Sequence, residues 1–74
     1  MNVTTLDAKG LKCPMPIVKT AQAIKTVAAG DLLEVLTTDP GAVADFAAWS
    51  RSTGNALVEQ KLVDGVYHFV LRRK

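Results

Sequence analysis

Two prolines one residue apart restrict this chain more than any other feature, because they follow at once on its only cysteine in Gly10-Leu11-Lys12-Cys13-Pro14-Met15-Pro16. A proline ring lacks the backbone N–H and presets φ near the helical value, so a helix begins with proline but does not run through it. Pro14 and Pro16 therefore predict the first turn of a helix, with Cys13 at or just before its N-cap. Unpaired backbone N–H groups and the positive end of the helix dipole converge at such a place. A thiolate is the reactive form of cysteine and helix starts stabilise it, so Cys13 is expected to titrate below the ~8.5 of a free thiol. Lys12 beside it would favour the anion by charge proximity. A lone cysteine in a small domain is by default a small buried hydrophobe. Here the flanking lysine and prolines, and the absence of a hydrophobic run, argue for an accessible and reactive group.

Seventy-four residues make one domain, 1–74, near the lower limit for a chain that buries a core unaided. Hydrophobic residues are 49% and charged ones 22%, an ordinary globular balance that suggests neither disorder nor a membrane class. No apolar run approaches the ~18 residues of a spanning helix, and the N-terminus lacks a charged-then-apolar signal pattern. A single cysteine makes no intramolecular disulfide, whereas a small secreted domain usually carries several. A cytoplasmic, reducing location is expected. The net charge of +2 gathers partly in Arg72-Arg73-Lys74, which reads as a solvated tail. Nucleic-acid binders show a broader basic stripe with interleaved aromatics, so direct DNA or RNA binding is not expected.

Along the chain, Asn2 to Leu6 is β-leaning through Val3, Thr4 and Thr5, and Asp7 to Lys12 is a polar loop. From Pro14 to about Ala28, Ile17, Ala21, Ile24 and Ala28 recur at helical spacing with Lys19, Gln22 and Lys25 opposite, and Gly30 ends the helix. Leu32 to Thr38 reads as a central strand. At Thr38-Asp39-Pro40 the first junction is repeated, with Asp39 as N-cap acceptor and Pro40 at the first helical position. A second helix follows, with Val43, Phe46, Ala47 and Ser50 on one face, Trp49 on the flank and Gly54 as left-handed cap.

Ala56 to Val63 and Val66 to Arg72 flank Asp64-Gly65, a dipeptide suited to a two-residue type I′ hairpin. Counting back from it pairs Leu62 with Tyr67, Gln60 with Phe69 and Val58 with Leu71 on a core face, and Lys61 with His68 on the other. The order is thus β-α-β-α-β-β. Right-handed crossovers put both helices on one face of a mixed four-stranded sheet, an α+β fold forming a two-layer sandwich. Parallel first strands would open both helix N-termini at the same sheet edge, bringing Cys13 and Asp39 together where ligands of such sheets bind.

The run Asp7-Ala8-Lys9-Gly10-Leu11-Lys12-Cys13-Pro14-Met15-Pro16, with its Cys-Pro-x-Pro core, resembles the signature of the TusA/SirA family of small sulfur carriers. Thr38-Asp39-Pro40 and the closing Leu71-Arg72-Arg73-Lys74 are similar to that family's later motifs. The resemblance implies the same fold, and a persulfide carried on Cys13 with Lys12, Pro14, Pro16 and Asp39 in support. A cysteine desulfurase or rhodanese would be the sulfur donor and a downstream relay protein the acceptor. Some relatives carry a second cysteine near Ser50, so a dithiol role is not expected for this chain.

The residues point the same way. Nothing in the sequence places a base and its orienting partner near Cys13, and neither a phosphate-binding glycine loop nor a metal-ligand set is visible. No cofactor or metal is implied beyond the covalent persulfide. A reactive thiol without local helpers suits a sulfurtransferase-type carrier better than a stand-alone turnover enzyme, because thiolate attack on a persulfide needs nucleophilicity, a leaving group and access. The chain is expected to be monomeric and to meet protein partners, not membranes. The alternative is a non-catalytic regulatory module with Cys13 as a redox sensor.

Overall fold

Residues 2–74 are described by a computed structural model. The chain runs through β1 (Val3–Asp7), α1 (Met15–Ala23) with a following 3₁₀ turn (Ile24–Thr26), β2 (Leu32–Thr37), α2 (Ala42–Thr53), β3 (Ala56–Val63) and β4 (Val66–Arg72). The strands form one sheet in the order β1-β2-β4-β3. β1 lies parallel to β2 with Leu6 opposite Val35, while β4 runs antiparallel to both β2 and β3. The α+β sandwich expected from the sequence is the observed one, with β2 central. Among the described residues no helix is long and apolar enough to cross a membrane.

β2 shows why one face of the sheet is core. Leu33, Val35 and Thr37 are fully buried beneath the helices, and the alternate residues Leu32, Glu34 and Leu36 are half-buried on the open face. Phe69 and Leu71 of β4 join that core, and Phe46 of α2 stacks on Phe69 with ring centroids 4.5 Å apart. Buried aromatics supply much of the apolar area a chain this short hides from water. Trp49 packs partly against the same cluster, as the flank position expected of it.

Three local readings change. The first helix is shorter than Pro14 to Ala28 and tightens at Ile24 into the 3₁₀ turn, where the repeat is three residues per turn. Val27, three residues after Ile24, therefore enters the core in place of Ala28, which is exposed. Upstream, the buried side is Pro16 and Thr20, with Ile17 and Ala21 only half-buried; the Thr20 hydroxyl donates to the Pro16 carbonyl at 2.8 Å, which lets a polar side chain enter the core. In α2 the buried face is Ala42 and Phe46, and Val43 is exposed.

The hairpin turn is as the sequence implies, with Asp64 at φ 51° and Gly65 at φ 77°, both in the region a type I′ turn requires. Leu62–Tyr67, Gln60–Phe69 and Lys61–His68 pair as counted, but a bulge between Leu57 and Glu59 sets Leu57, not Val58, opposite Leu71. One extra residue in β3 shifts the pairings on the side of the bulge away from the turn, those of Leu57 and Ala56, by one. Leu62 and Val58 also remain exposed, because β3 is an edge strand.

The basic C-terminus is not a free tail. The Arg73 guanidinium donates to the Val27 and Lys25 carbonyls at the end of the 3₁₀ turn, where a cation meets the negative end of the helix. The Arg73 backbone bonds to Asp31 and Gly30, and the Lys74 amide donates to the Asn55 side chain at 2.9 Å.

Candidate functional site

Parallel pairing of β1 and β2 brings the two strand-to-helix loops to one edge of the sheet. The first loop carries Lys12 and Cys13, the second Thr38, Asp39 and Pro40. Pro14 occupies the N-cap of α1 and Pro16 its second position, so Cys13 stands just outside the helix, exposed to solvent; the Cys13–Pro14 peptide is cis. The prolines thus act where the sequence puts them.

Asp39 is nearer the cysteine than helix capping alone would make it. One carboxylate oxygen accepts the Cys13 N–H at 2.9 Å and the other accepts the Gly41 N–H at 3.0 Å. Asp39 is not the N-cap of α2. That position belongs to Gly41, because Asp39-Pro40-Gly41 first closes a turn in which the Ala42 N–H donates to the Asp39 carbonyl at 3.0 Å. The side chain therefore ties the cysteine loop to the start of α2. Beside it, the Thr38 hydroxyl accepts the Gly10 N–H at 3.0 Å and the buried Thr37 hydroxyl accepts the Asp39 N–H at 3.2 Å.

The charge around the sulfur is opposite to the sequence expectation. Hydrogen bonding to the Asp45 carboxylate, then partial desolvation, then the charges of Asp45 and Asp39 all hold the Cys13 thiol above its ordinary value. Lys12 is exposed, forms no ion pair among the described residues and is not among the charges acting on the sulfur. The helix start offers the anion little: Pro14 and Pro16 have no N–H, and the Met15 N–H is taken by the Lys12 carbonyl at 2.9 Å. A thiol facing two carboxylates keeps its proton.

Asp45 is the functional neighbour that sequence reasoning missed, having left Cys13 without local helpers. It lies in the first turn of α2, and its N–H donates to the Gly41 carbonyl at 3.3 Å. The signal was present: an acidic residue early in a helix predicted to start at the cysteine's own sheet edge. Ser50 lies toward the other end of α2, and its hydroxyl donates to the Asn55 carbonyl and accepts the Leu57 N–H. Eight residues of helix from Ala42 place it roughly 12 Å along the axis from that helix start.

The domain is a two-layer sandwich with an exposed thiol at the head of its parallel strands, clamped by the neighbouring loop. The chain belongs to the TusA family: the model of that family, described as sulfurtransferase TusA, matches residues 4–73. It is 43% identical over 68 residues to a sulfur carrier protein TusA of Allochromatium vinosum, covering 92% of this chain and 90% of that one. It is 36% identical over 69 residues to a sulfur carrier protein TusA of Pseudomonas putida, covering 93% and 86%. Among solved structures, a SirA-like protein of Desulfitobacterium hafniense superposes with a TM-score of 0.82 at 23% identity over 96% of each chain, which supports the fold.

Proposed function

We propose that Cys13 accepts sulfane sulfur from a donor protein, holds it as a persulfide and passes it to an acceptor protein. The observation that carries the reading is the exposed, single thiol at the clamped edge of a TusA-family domain. In the loading step the Cys13 sulfur attacks the outer sulfur of the donor's persulfide. A new S–S bond forms at Cys13, the donor's S–S bond breaks, and its electron pair leaves on the donor's cysteine, which takes up the proton Cys13 gives away. No outside oxidant or reductant is consumed. Delivery is the same exchange with Cys13 as the leaving group.

The raised thiol argues against redox sensing. Sensor cysteines are thiolates at rest and oxidise for that reason. A thiol held above its ordinary value by Asp45 and Asp39 is slow towards peroxide, and because nucleophilicity gains only about half of what the thiolate fraction loses, it is slow as an attacking group until its proton is taken. Asp45 is the nearby group able to accept the proton as the sulfur attacks. The donor is a cysteine desulfurase or a rhodanese, and the acceptor a sulfur-relay protein.

Incubation with a cysteine desulfurase plus cysteine, and separately with a rhodanese plus thiosulfate, should add one reductant-removable sulfur to the wild type by intact mass. Cys13→Ser, nearly isosteric at an exposed position, should fold normally and carry nothing. Failure of both donors to load the wild type, with ready oxidation of Cys13 by peroxide, would transfer the assignment to the redox sensor.

A further inference from the structure

Thr38 lies outside the core, in the loop between β2 and α2. Its residue is exposed, yet its hydroxyl accepts the Gly10 N–H from a loop 28 residues away in sequence. That loop is otherwise held by its own backbone and by β2: the Ala8 N–H donates to the Leu36 carbonyl at 2.8 Å, the Leu11 N–H to the Ala8 carbonyl at 3.3 Å, and the Lys9 N–H to the Asp7 side chain at 3.0 Å. Gly10 sits at the bend with φ +80°, and no atom outside its immediate neighbours would lie within 4 Å of a Cβ there. Nothing packs on the bend itself, which lies between the buried Ala8 and the half-buried Leu11. The Thr38 hydroxyl and the Asp39 carboxylate are the side chains of the second loop that reach across to it, one at Gly10 and one at Cys13.

We propose that Thr38 is a positioning residue for Cys13: its hydroxyl pins the bend at Gly10, so that the sulfur is presented from one loop conformation beside the first turn of α2. The proposal deepens the carrier reading and rests on it for its biological purpose, but the geometry is tested without any sulfur donor. With Asp39 the one side chain of the second loop still reaching across, the stretch from Gly10 to Cys13 would loosen and the sulfur would sample positions farther from the Asp45 carboxylate of α2. The consequence is a thiol that titrates closer to a free cysteine.

Thr38→Val keeps the shape and removes the acceptor; Thr38→Ser restores the hydroxyl. Hydrogen exchange of the Gly10 amide should run about fivefold faster in Thr38→Val, the factor corresponding to one lost hydrogen bond. The midpoint of Cys13 alkylation by iodoacetamide against pH should move down from the wild-type value towards that of a model cysteine peptide. Both should return to wild type in Thr38→Ser. An unchanged exchange rate or an unchanged alkylation midpoint in Thr38→Val would overturn the proposal, as would a Thr38→Ser protein as altered as Thr38→Val. Loading of wild type by a cysteine desulfurase is run alongside; its failure counts against the carrier reading alone, while exchange and alkylation still decide the role of Thr38.

Discussion

Replacing Asp39 with alanine removes two hydrogen bonds from one carboxylate, the one to the Cys13 N–H at 2.9 Å and the one to the Gly41 N–H at 3.0 Å. A hydrogen bond to a charged group contributes roughly 1.5–3 kcal/mol when shielded from water. Both bonds here are exposed, so about 1 kcal/mol each, the size of an ordinary helix-capping contribution, is the appropriate scale. The sum of about 2 kcal/mol stands against a total stability of roughly 4–11 kcal/mol for a chain of this length. A domain of this size loses roughly 4–8 °C of melting temperature per kcal/mol, so Asp39→Ala should melt about 8–16 °C below wild type. Asp39→Asn keeps one acceptor oxygen and should lose about half as much. Thermal melts followed by circular dichroism, with hydrogen exchange read at the Cys13 and Gly41 amides, test both variants. A melting temperature of Asp39→Ala within roughly 2 °C of wild type, with the Cys13 amide still protected, would refute the view that this side chain joins the two loops.

Three further outcomes follow from the same structure. Asp45→Asn removes the first cause of the raised Cys13 thiol, so the alkylation midpoint should fall and the rate at neutral pH rise several-fold, with wild type itself titrating above a model cysteine peptide; coincident pH profiles for the two proteins would exclude Asp45 as the controlling group. Phe46→Ala empties a fully buried ring site against Phe69 and should cost about 3–5 kcal/mol in urea unfolding, enough to leave the domain marginal; a loss below about 1 kcal/mol would mean the sheet and helices close over the space. Arg73→Ala frees the Val27 and Lys25 carbonyls and should destabilise by about 1–2 kcal/mol, whereas Arg72→Ala, at an exposed position, should stay within about 0.5 kcal/mol; equal effects would return the C-terminus to the status of a solvated tail.

Local chemistry was legible in the sequence wherever a residue's own covalent structure dictates its place. Pro14 and Pro16 can only begin a helix, Gly54 takes the left-handed cap at φ 80°, and Asp64-Gly65 makes a tight hairpin, so the elements, their order and the exposed position of Cys13 were all available without coordinates. The short run of apolar and β-branched residues from Leu32, bounded by Asp31 and Asp39, likewise located the central strand. What the tertiary structure alone decided depends on groups far apart in the chain. The bulge that moves Leu57 opposite Leu71 has no local signature, and the 3₁₀ turn that turns Val27 inward is bound by the guanidinium of Arg73, 46 residues later. The charge at Cys13 reversed for the same reason. Its sequence neighbour Lys12 is in solvent, while Asp39 and Asp45, remote in the chain, are brought beside the thiol by the parallel pairing of β1 and β2. A thiol's protonation follows the charges nearest in space, and only the fold determines which those are.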